Sequence, residues 1–491
     1  MAATSFVTLE QLPDDVVAMA ATSLVTLEEL PDDVLVMALK YVDVEDILAC
    51  RLVSKRFCGL ALHRDVWRHR KLADCNPRAG AVLRLAPCLY MLKVTGRIPT
   101  LAATTTGCAV AKLMLMPSEL SVAANAAEYS LVVRNQESLG RLRELVLYPS
   151  EMNEADVLYR TVASCSGLAS LSLSAYFMQP QITQPIVSGP PRSSLTYFTC
   201  SVDENSASFV NTILAGHSAT LEAVEIPQSD LQESTTAELL AAMPRLRKLL
   251  CDSVLCGLEA VAECKALRDV HIFVDMSLGD YDRAIQFLRR ADQLRRVYLE
   301  TETETETDKW STVESTVLTD AIEALASSGR SRVEQLFLEA RGVILPLLRS
   351  LPSLPALRFL NLALDFDVEL LKSITPVTAP ALRLLEIVAE RGKCPHAWIH
   401  GAAVKATLTG NPLLHIQLWS RTGRGSNPQD CETCAAACHQ GVNWHGVWKI
   451  GLYSHDPGTC PSPEAHADVT DWELCYKKRS TKNAACTWIR V

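Results

Sequence analysis

From residue 85 onward one short apolar frame, Leu-x-x-Leu-x-Leu with apolar substitutes, returns again and again. It appears as Leu142-Leu145-Leu147, Leu168-Leu171-Leu173, Leu195-Phe198-Cys200, Leu221-Val224-Ile226 and Leu246-Leu249-Cys251. It continues as Leu267-Val270-Ile272, Leu294-Val297-Leu299, Val333-Leu336-Leu338, Leu357-Leu360-Leu362 and Leu382-Leu385-Ile387. Weaker copies at Leu89-Leu92-Val94, Val110-Leu113-Leu115 and Leu413-Ile416-Leu418 extend the array at both ends. Intervals cluster at 21–27 residues, with three longer ones read as insertions. In each copy the last two apolar residues alternate with other positions, as a strand with one buried face requires. A further apolar position, such as Leu240, Val261, Leu288 or Leu351, lies six residues before the first Leu, within stretches of helical pattern such as TAELLAAM and YDRAIQFLRR. One strand and one helix cannot bury their apolar faces alone, but stacked copies can. The expected fold is therefore α/β, a solenoid with a strand plus a helix per repeat over residues 85–420.

This array resembles leucine-rich repeats. The resemblance is incomplete three residues after the last Leu, where Asn or Cys usually bonds the turn backbone. Here that position holds Ser150, Tyr176, Asp203, Ser229 or Val254, so the repeats are degenerate. In such repeats the residues flanking the last two Leu point onto the concave sheet. That set includes Asp269, His271 and Phe273, then Arg296, Tyr298 and Glu300. His271, Phe273, Tyr298, Phe337 and Phe359 are expected to form an exposed aromatic stripe, a candidate substrate-binding surface of hot-spot composition. The alternative is that the stripe packs under the insertion at 301–332 or under the C-terminal tail. The longest interval, an acidic insertion near 300–332, contains carboxylates at alternate positions from Glu300 to Asp308 and is expected to be a solvated loop.

Ahead of the array, residues 26–72 carry four short amphipathic patterns. Pro31 suits the start of a helix, and Val34, Leu35, Ala38, Leu39 and Val42 give one apolar face. Asp43, with Asp46 three residues on, makes a weak carboxylate capping box for a second helix bearing Ile47 and Leu48. Ser54 is placed to cap a third helix with Phe57, Leu60 and Ala61, and Trp67 with Leu72 marks a fourth segment. So small a domain buries a modest share of its surface, yet Leu27, Leu30, Pro31 and Val34 crowd one helix start with excess apolar surface. The stretch closely resembles an F-box. Leu30-Pro31-Asp32-Asp33-Val34-Leu35 fits its opening, Arg51-Leu52-Val53-Ser54-Lys55-Arg56-Phe57 its middle and Trp67 its late tryptophan. The alternative is a small helical bundle capping the repeats. The resemblance implies an all-α F-box domain over 26–75 whose Leu27, Leu30, Pro31, Val34 and Leu35 bind the adaptor subunit of an SCF-type cullin–RING ubiquitin ligase. Residues 1–17 nearly duplicate residues 19–35, and 1–25 are expected to be a disordered leader. Seven basic residues between Arg51 and Lys71 interleave with apolar positions and read as solvated helix faces.

A net charge of −9 argues against nucleic acid as the principal partner, and no run of 18 apolar residues suggests a membrane span. Seventeen cysteines, many at core positions such as Cys200 and Cys251, with no Asn-x-Ser/Thr acceptor, point to a reducing compartment, cytoplasmic and/or nuclear. Residues 421–491 read as a linker and a Cys/His-rich tail. Cys431, Cys434, Cys438 and His439 have the flavour of a metal knuckle, with Cys460, Cys475 and Cys486 further on. The second close pair that zinc prefers is missing, so the tail is expected to be loosely folded, with reduced cysteines, no metal and no cofactor. No Walker loop, GxGxxG, HExxH or GxSxG motif is present, and no catalytic residue is expected. Together the two resemblances imply a non-catalytic substrate-recognition subunit of the ligase. Its partners would be the adaptor, through it the cullin and RING subunits, and an unknown protein substrate. The alternative is a leucine-rich-repeat scaffold without ubiquitin chemistry.

Overall fold

The computed structural model describes residues 27, 29–96, 100–116, 126–148, 155–173, 182, 185–186, 189–227, 229–230, 233–275, 281–302, 312–327, 329–339, 344–362, 368–389, 401–421, 447–455 and 486–491. The duplicated leader and residues 303–308 of the acidic run lie outside these. The chain is mixed α/β and divides into two units, Met1–Val162 and Ala163–Val491. No helix among the described residues is long and apolar enough to cross a membrane.

The first unit opens with four short helices, α1 Asp32–Leu39, α2 Val44–Cys50, α3 Lys55–Ala61 and α4 Arg64–Trp67. Pro31 stands just before α1, with φ −57° and ψ 150°, and its carbonyl accepts the N–H of Leu35 at 3.1 Å. Asp32 and Asp33 occupy the first turn, where carboxylates favour the helix dipole. The hydroxyl of Ser54 accepts the N–H of Phe57 at 3.2 Å, the cap that the sequence suggests for α3. Asp43 precedes α2 but makes no side-chain cap bond, so the carboxylate capping box does not form. Leu35, Leu39, Ile47, Leu60, Val66 and Trp67 make the core, and the Trp67 indole donates to the carbonyl of Ala61 at 2.7 Å.

Strands begin earlier than the repeat pattern suggests. Residue Leu72, expected in a fourth helical segment, is buried on β1 Lys71–Ala73, which pairs in parallel with β2 Cys88–Val94. β3 Ala109–Leu115 and β4 Glu144–Leu147 continue the parallel order in this unit. Strand pairing thus begins at Lys71, ahead of the first copy of the frame.

In the second unit every Leu-x-x-Leu-x-Leu unit coincides with a strand. These are β5 Ser170–Leu173, β6 Tyr197–Thr199, β8 Ala223–Ile226, β10 Lys248–Asp252, β11 Asp269–Asp275, β12 Arg296–Glu302, β13 Gln335–Glu339, β14 Phe359–Leu362, β15 Leu384–Ala389 and β16 His415–Arg421. Two short strands, β7 Val202–Asp203 and β9 Ser229–Asp230, pair separately. From β5 to β16 the long sheet is parallel, each strand beside the next copy of the frame. The register aligns the apolar frame into two rows: Leu249, Val270, Val297, Leu336, Leu360, Leu385 and Ile416, and beside it Cys251, Ile272, Leu299, Leu338, Leu362, Ile387 and Leu418. Every one is buried. Side chains on one face of a strand repeat every two residues, so a one-residue slip would expose a whole row.

Helices return the chain between strands, among them Ala207–His217, Asp282–Arg290 and Ala402–Gly410. The repeat after β10 uses a 3-10 helix, Leu258–Glu263, entered through Gly257 at φ +80°. A Cβ there would stand 2.8 Å from that of Ser234, so only glycine fits both the conformation and the space. The interval near 300–332 is not wholly a solvated loop. β12 extends through Glu302, and Thr312–Ser327 is a helix that buries Val317, Leu318, Ala321, Ile322 and Leu325. Helical spacing of those residues makes it the returning helix of a long repeat.

Polar side chains near helix ends join one repeat to the one before. His217 Nδ1 accepts the N–H groups of Ser194 and Leu195 at 3.0 and 3.2 Å. Gln293 Nε2 donates to the carbonyls of Ala262 and Cys264 at 3.0 Å each, and Asn411 Nδ2 to that of Ile374 at 2.8 Å. In the first unit Gln136 accepts from Val110 N–H and donates to the carbonyl of Cys108. Within the turn after β6, Asp203, three residues after the last apolar position of its frame, accepts the N–H of Ser206 at 2.7 Å.

The tail is not wholly loose. β17 Val447–Tyr453 pairs antiparallel with β16, and β18 Cys486–Arg490 pairs parallel with β17. The alternating pattern of VWKIGLY buries Ile450 and Leu452, so segments from 421–491 continue the sheet beyond the last frame.

Candidate functional site

In the first unit, one guanidinium holds the helices together. Arg70 donates to the carbonyls of Leu39, Lys40 and Val42 at 2.8, 3.0 and 2.7 Å, and to that of Val66 at 2.8 Å. Three of these acceptors close the C-terminal end of α1, where a cation is favoured. Burial pulls the Arg70 pKa below its ordinary value, and the nearby charge of Asp43 offsets part of that. Arg56 ties the start of α3 to that of α1, donating to the Asp32 carboxylate and to the carbonyl of Leu30.

Around this frame the sequence-suggested residues divide. Leu27 and Pro31 are exposed, and Leu30 and Val34 are half-buried. Leu35 is corrected: at 3% exposure it belongs to the core, because it shares the inner face of α1 with Leu39. The sequence reading missed Met37, Tyr41, Leu52 and Val53, all exposed, with Tyr41 at 81% and Leu52 at 78%. Five of the nine exposed large apolar residues among the described residues lie between Leu27 and Val53. A signal for part of this set was available. Val34 and Met37 are spaced i and i+3, on the side of α1 opposite Leu35 and Leu39, and Tyr41 follows in the turn just beyond the helix. A concentrated exposed apolar surface marks a protein contact.

In the second unit, register places His271, Tyr298 and Phe337 side by side on β11, β12 and β13. The His271 ring lies 4.1 Å from that of Tyr298 and 4.3 Å from that of Phe273. Tyr298 stacks on Phe337 at 5.5 Å, and Phe337 meets Phe359 at 4.9 Å. His271 Nε2 is 3.1 Å from a carboxylate oxygen of Glu300, and Arg296 grips Asp269 with two bonds of 2.8 Å. The stripe therefore comes together, but its expected exposure is corrected. His271 has no exposed surface, Phe359 and Tyr298 are buried, and Phe273 and Phe337 are half-buried. Parallel strands about 4.8 Å apart bring rings in register within stacking range, so each shields its neighbours.

At the end of the same unit, the His415 and His455 rings meet edge-on at 4.8 Å, next to Tyr453 and Trp488. Gly451 makes room for Trp488, whose ring would overlap a Cβ at that position. No group of three or more His, Cys, Asp or Glu among the described residues is arranged to hold a metal ion. Residues Cys431, Cys434, Cys438, His439, Cys460 and Cys475 lie outside the described residues. Among the described thiols, burial pushes Cys108 up to about 12 and raises Cys200, Cys251 and Cys264. Such thiols are inert core groups.

No curated protein matches the chain. The family model described as F-box-like matches residues 27–73, the stretch that holds α1 to α4, the Arg70 clamp and the exposed apolar set.

Proposed function

We propose that the protein is the substrate-recognition subunit of an SCF-type cullin–RING ubiquitin ligase. The observation that carries this reading is the coincidence of the F-box-like match at 27–73 with most of the exposed large apolar side chains among the described residues. Leu27, Leu30, Pro31 and Val34, extended by Met37, Tyr41, Leu52 and Val53, dock the adaptor subunit. Leu35 supports them from the core. The second unit acts as a leucine-rich-repeat solenoid that holds a protein substrate. The half-buried rings of Phe273 and Phe337 make the contact there, over a floor of His271, Tyr298 and Phe359. The chain makes and breaks no bonds itself. It raises the effective concentration of a substrate lysine at a recruited conjugating enzyme.

Burying one large apolar side chain contributes about 1.5–3 kcal/mol. Leu52→Asp with Val53→Asp, two exposed positions, therefore abolishes co-purification of the adaptor from cells while leaving α1 to α4 folded. Retention of the adaptor at the wild-type level by that folded double variant would overturn the assignment.

A further inference from the structure

We propose that a row of arginines along the N-terminal ends of the strands in the second unit is a docking surface for an acidic segment of a partner protein. The row is continuous in the backbone. The N–H of Arg247 is bonded to the carbonyl of Glu222 at 2.8 Å, that of Arg268 to Arg247 at 2.9 Å, and that of Arg295 to Arg268 at 2.8 Å. Glu334, Arg358 and Arg383 follow, each bonded to the one before at 2.8 Å. Neighbours are thus one strand apart, about 4.8 Å. Five of these seven positions are arginine, in a chain whose net charge is −9.

Folding accounts for only part of this. Arg268 and Arg383 each donate through Nη1 to carbonyls of their own turns, Lys265 and Leu267 in one case, Pro380 and Leu382 in the other. Arg295 meets the carboxylate of Glu334 at 3.2 Å. Arg247 and Arg358 are exposed and make no side-chain hydrogen bond or ion pair among the described residues. Like charges one strand apart repel, and the Arg295–Glu334 pair shows that the row accepts the opposite charge. An accumulation of cations that the fold does not pair is matched by an anion from outside. Guanidinium forks suit carboxylates in particular. The interruption at Glu334 and the acidic whole-chain balance favour a peptide over a nucleic acid. An extended segment rising about 3.4 Å per residue would span the five steps from Arg247 to Arg383 with about seven residues.

The probe is a fluorescein-labelled decaglutamate peptide, titrated with the full chain at low ionic strength and followed by anisotropy. Arg247→Gln, Arg295→Gln and Arg358→Gln together weaken binding about tenfold. Arg192→Gln, Arg349→Gln and Lys405→Gln, which remove the same charge from exposed positions off the row, weaken it less than about twofold. Should the first triple variant fail to fold, Arg358→Gln against Arg349→Gln gives the same comparison. Equal losses in the two sets, or no binding by the wild type, would overturn the proposal. So would tighter binding of an oligoadenylate RNA with the same loss, which would make the row a nucleic-acid track. Adaptor co-purification is unchanged in the triple variant, so failure here is distinct from failure of the ligase reading.

Discussion

Arg70 does with one side chain what a fifty-residue domain cannot do by apolar burial alone. Its four acceptor carbonyls come from two helices and the turn after α1, and hydrogen bonds to a charged group contribute about 1.5–3 kcal/mol each. Arg70→Ala is therefore expected to cost about 3 kcal/mol or more, and Arg70→Lys to rescue little, because an ammonium cannot span the same fork. Loss of hydrogen-exchange protection across residues 32–67 checks this. Nothing in the sequence marks Arg70 among the seven basic residues of its stretch, since three of its four partners are backbone carbonyls some thirty residues away. His217 is a second such residue. Burial lowers its pKa from 6.5 to about 4, which keeps Nδ1 an acceptor for two N–H groups. The folded state therefore prefers the neutral ring, and its contribution is complete above pH 6.5 and lost as pH falls toward 4. Between those limits the slope is about 1.4 kcal/mol per pH unit. Chemical denaturation at a series of pH values should show that slope reduced in His217→Gln relative to the wild type.

At the scale of elements, the frame makes strands and the helix ends make the joints. The two rows of inward residues were legible because a strand repeats its faces every two residues and a solenoid repeats its strands at a near-constant interval. The joints were not legible. A search for Asn or Cys three residues after the last Leu finds Val254 and Asp203, of which Asp203 accepts the Ser206 N–H within its own turn, whereas the groups that bond one repeat to the one before are Gln136, His217, Gln293 and Asn411, each near a helix C-terminus. Sequence alone gives no reason to prefer these over other polar residues at helix ends, since their partners belong to the preceding repeat. Gln293→Ala leaves two buried carbonyls without their donor, at a cost of about 1–3 kcal/mol. Its urea midpoint should fall while Gln286→Ala, on the helix just before Gln293 and making only a 3.5 Å contact with Arg289, stays near the wild type. The aromatic stripe belongs to this scale too. Pattern predicted which residues share a face, but exposure depends on ring packing across three strands, which periodicity does not encode.

For the molecule as a whole, the mixed α/β character, the long parallel sheet and the F-box-like stretch were legible, whereas the strands before and after the frame were not. β1 was hidden because Leu72 stands in a segment whose neighbours read as helical. The tail was hidden because β17 runs antiparallel, without the leading Leu of the frame, and β18 is separated from it by more than thirty residues of sequence. A parallel sheet built from stacked repeats exposes a row of unpaired N–H and C=O groups at its last strand, which invites edge-to-edge association unless something covers it. Here β16 has β15 on one side and β17 on the other, and Ile450 and Leu452 of β17 are buried beside Ile416 and Leu418. Deleting residues 447–491 removes that cover from a strand rich in apolar residues. The truncated protein should unfold at a lower temperature and self-associate at micromolar concentration, as read by thermal denaturation and by light scattering after size exclusion. A truncated chain that melts with the intact protein and stays monomeric would show instead that β17 and β18 rest on an edge already protected by its own side chains.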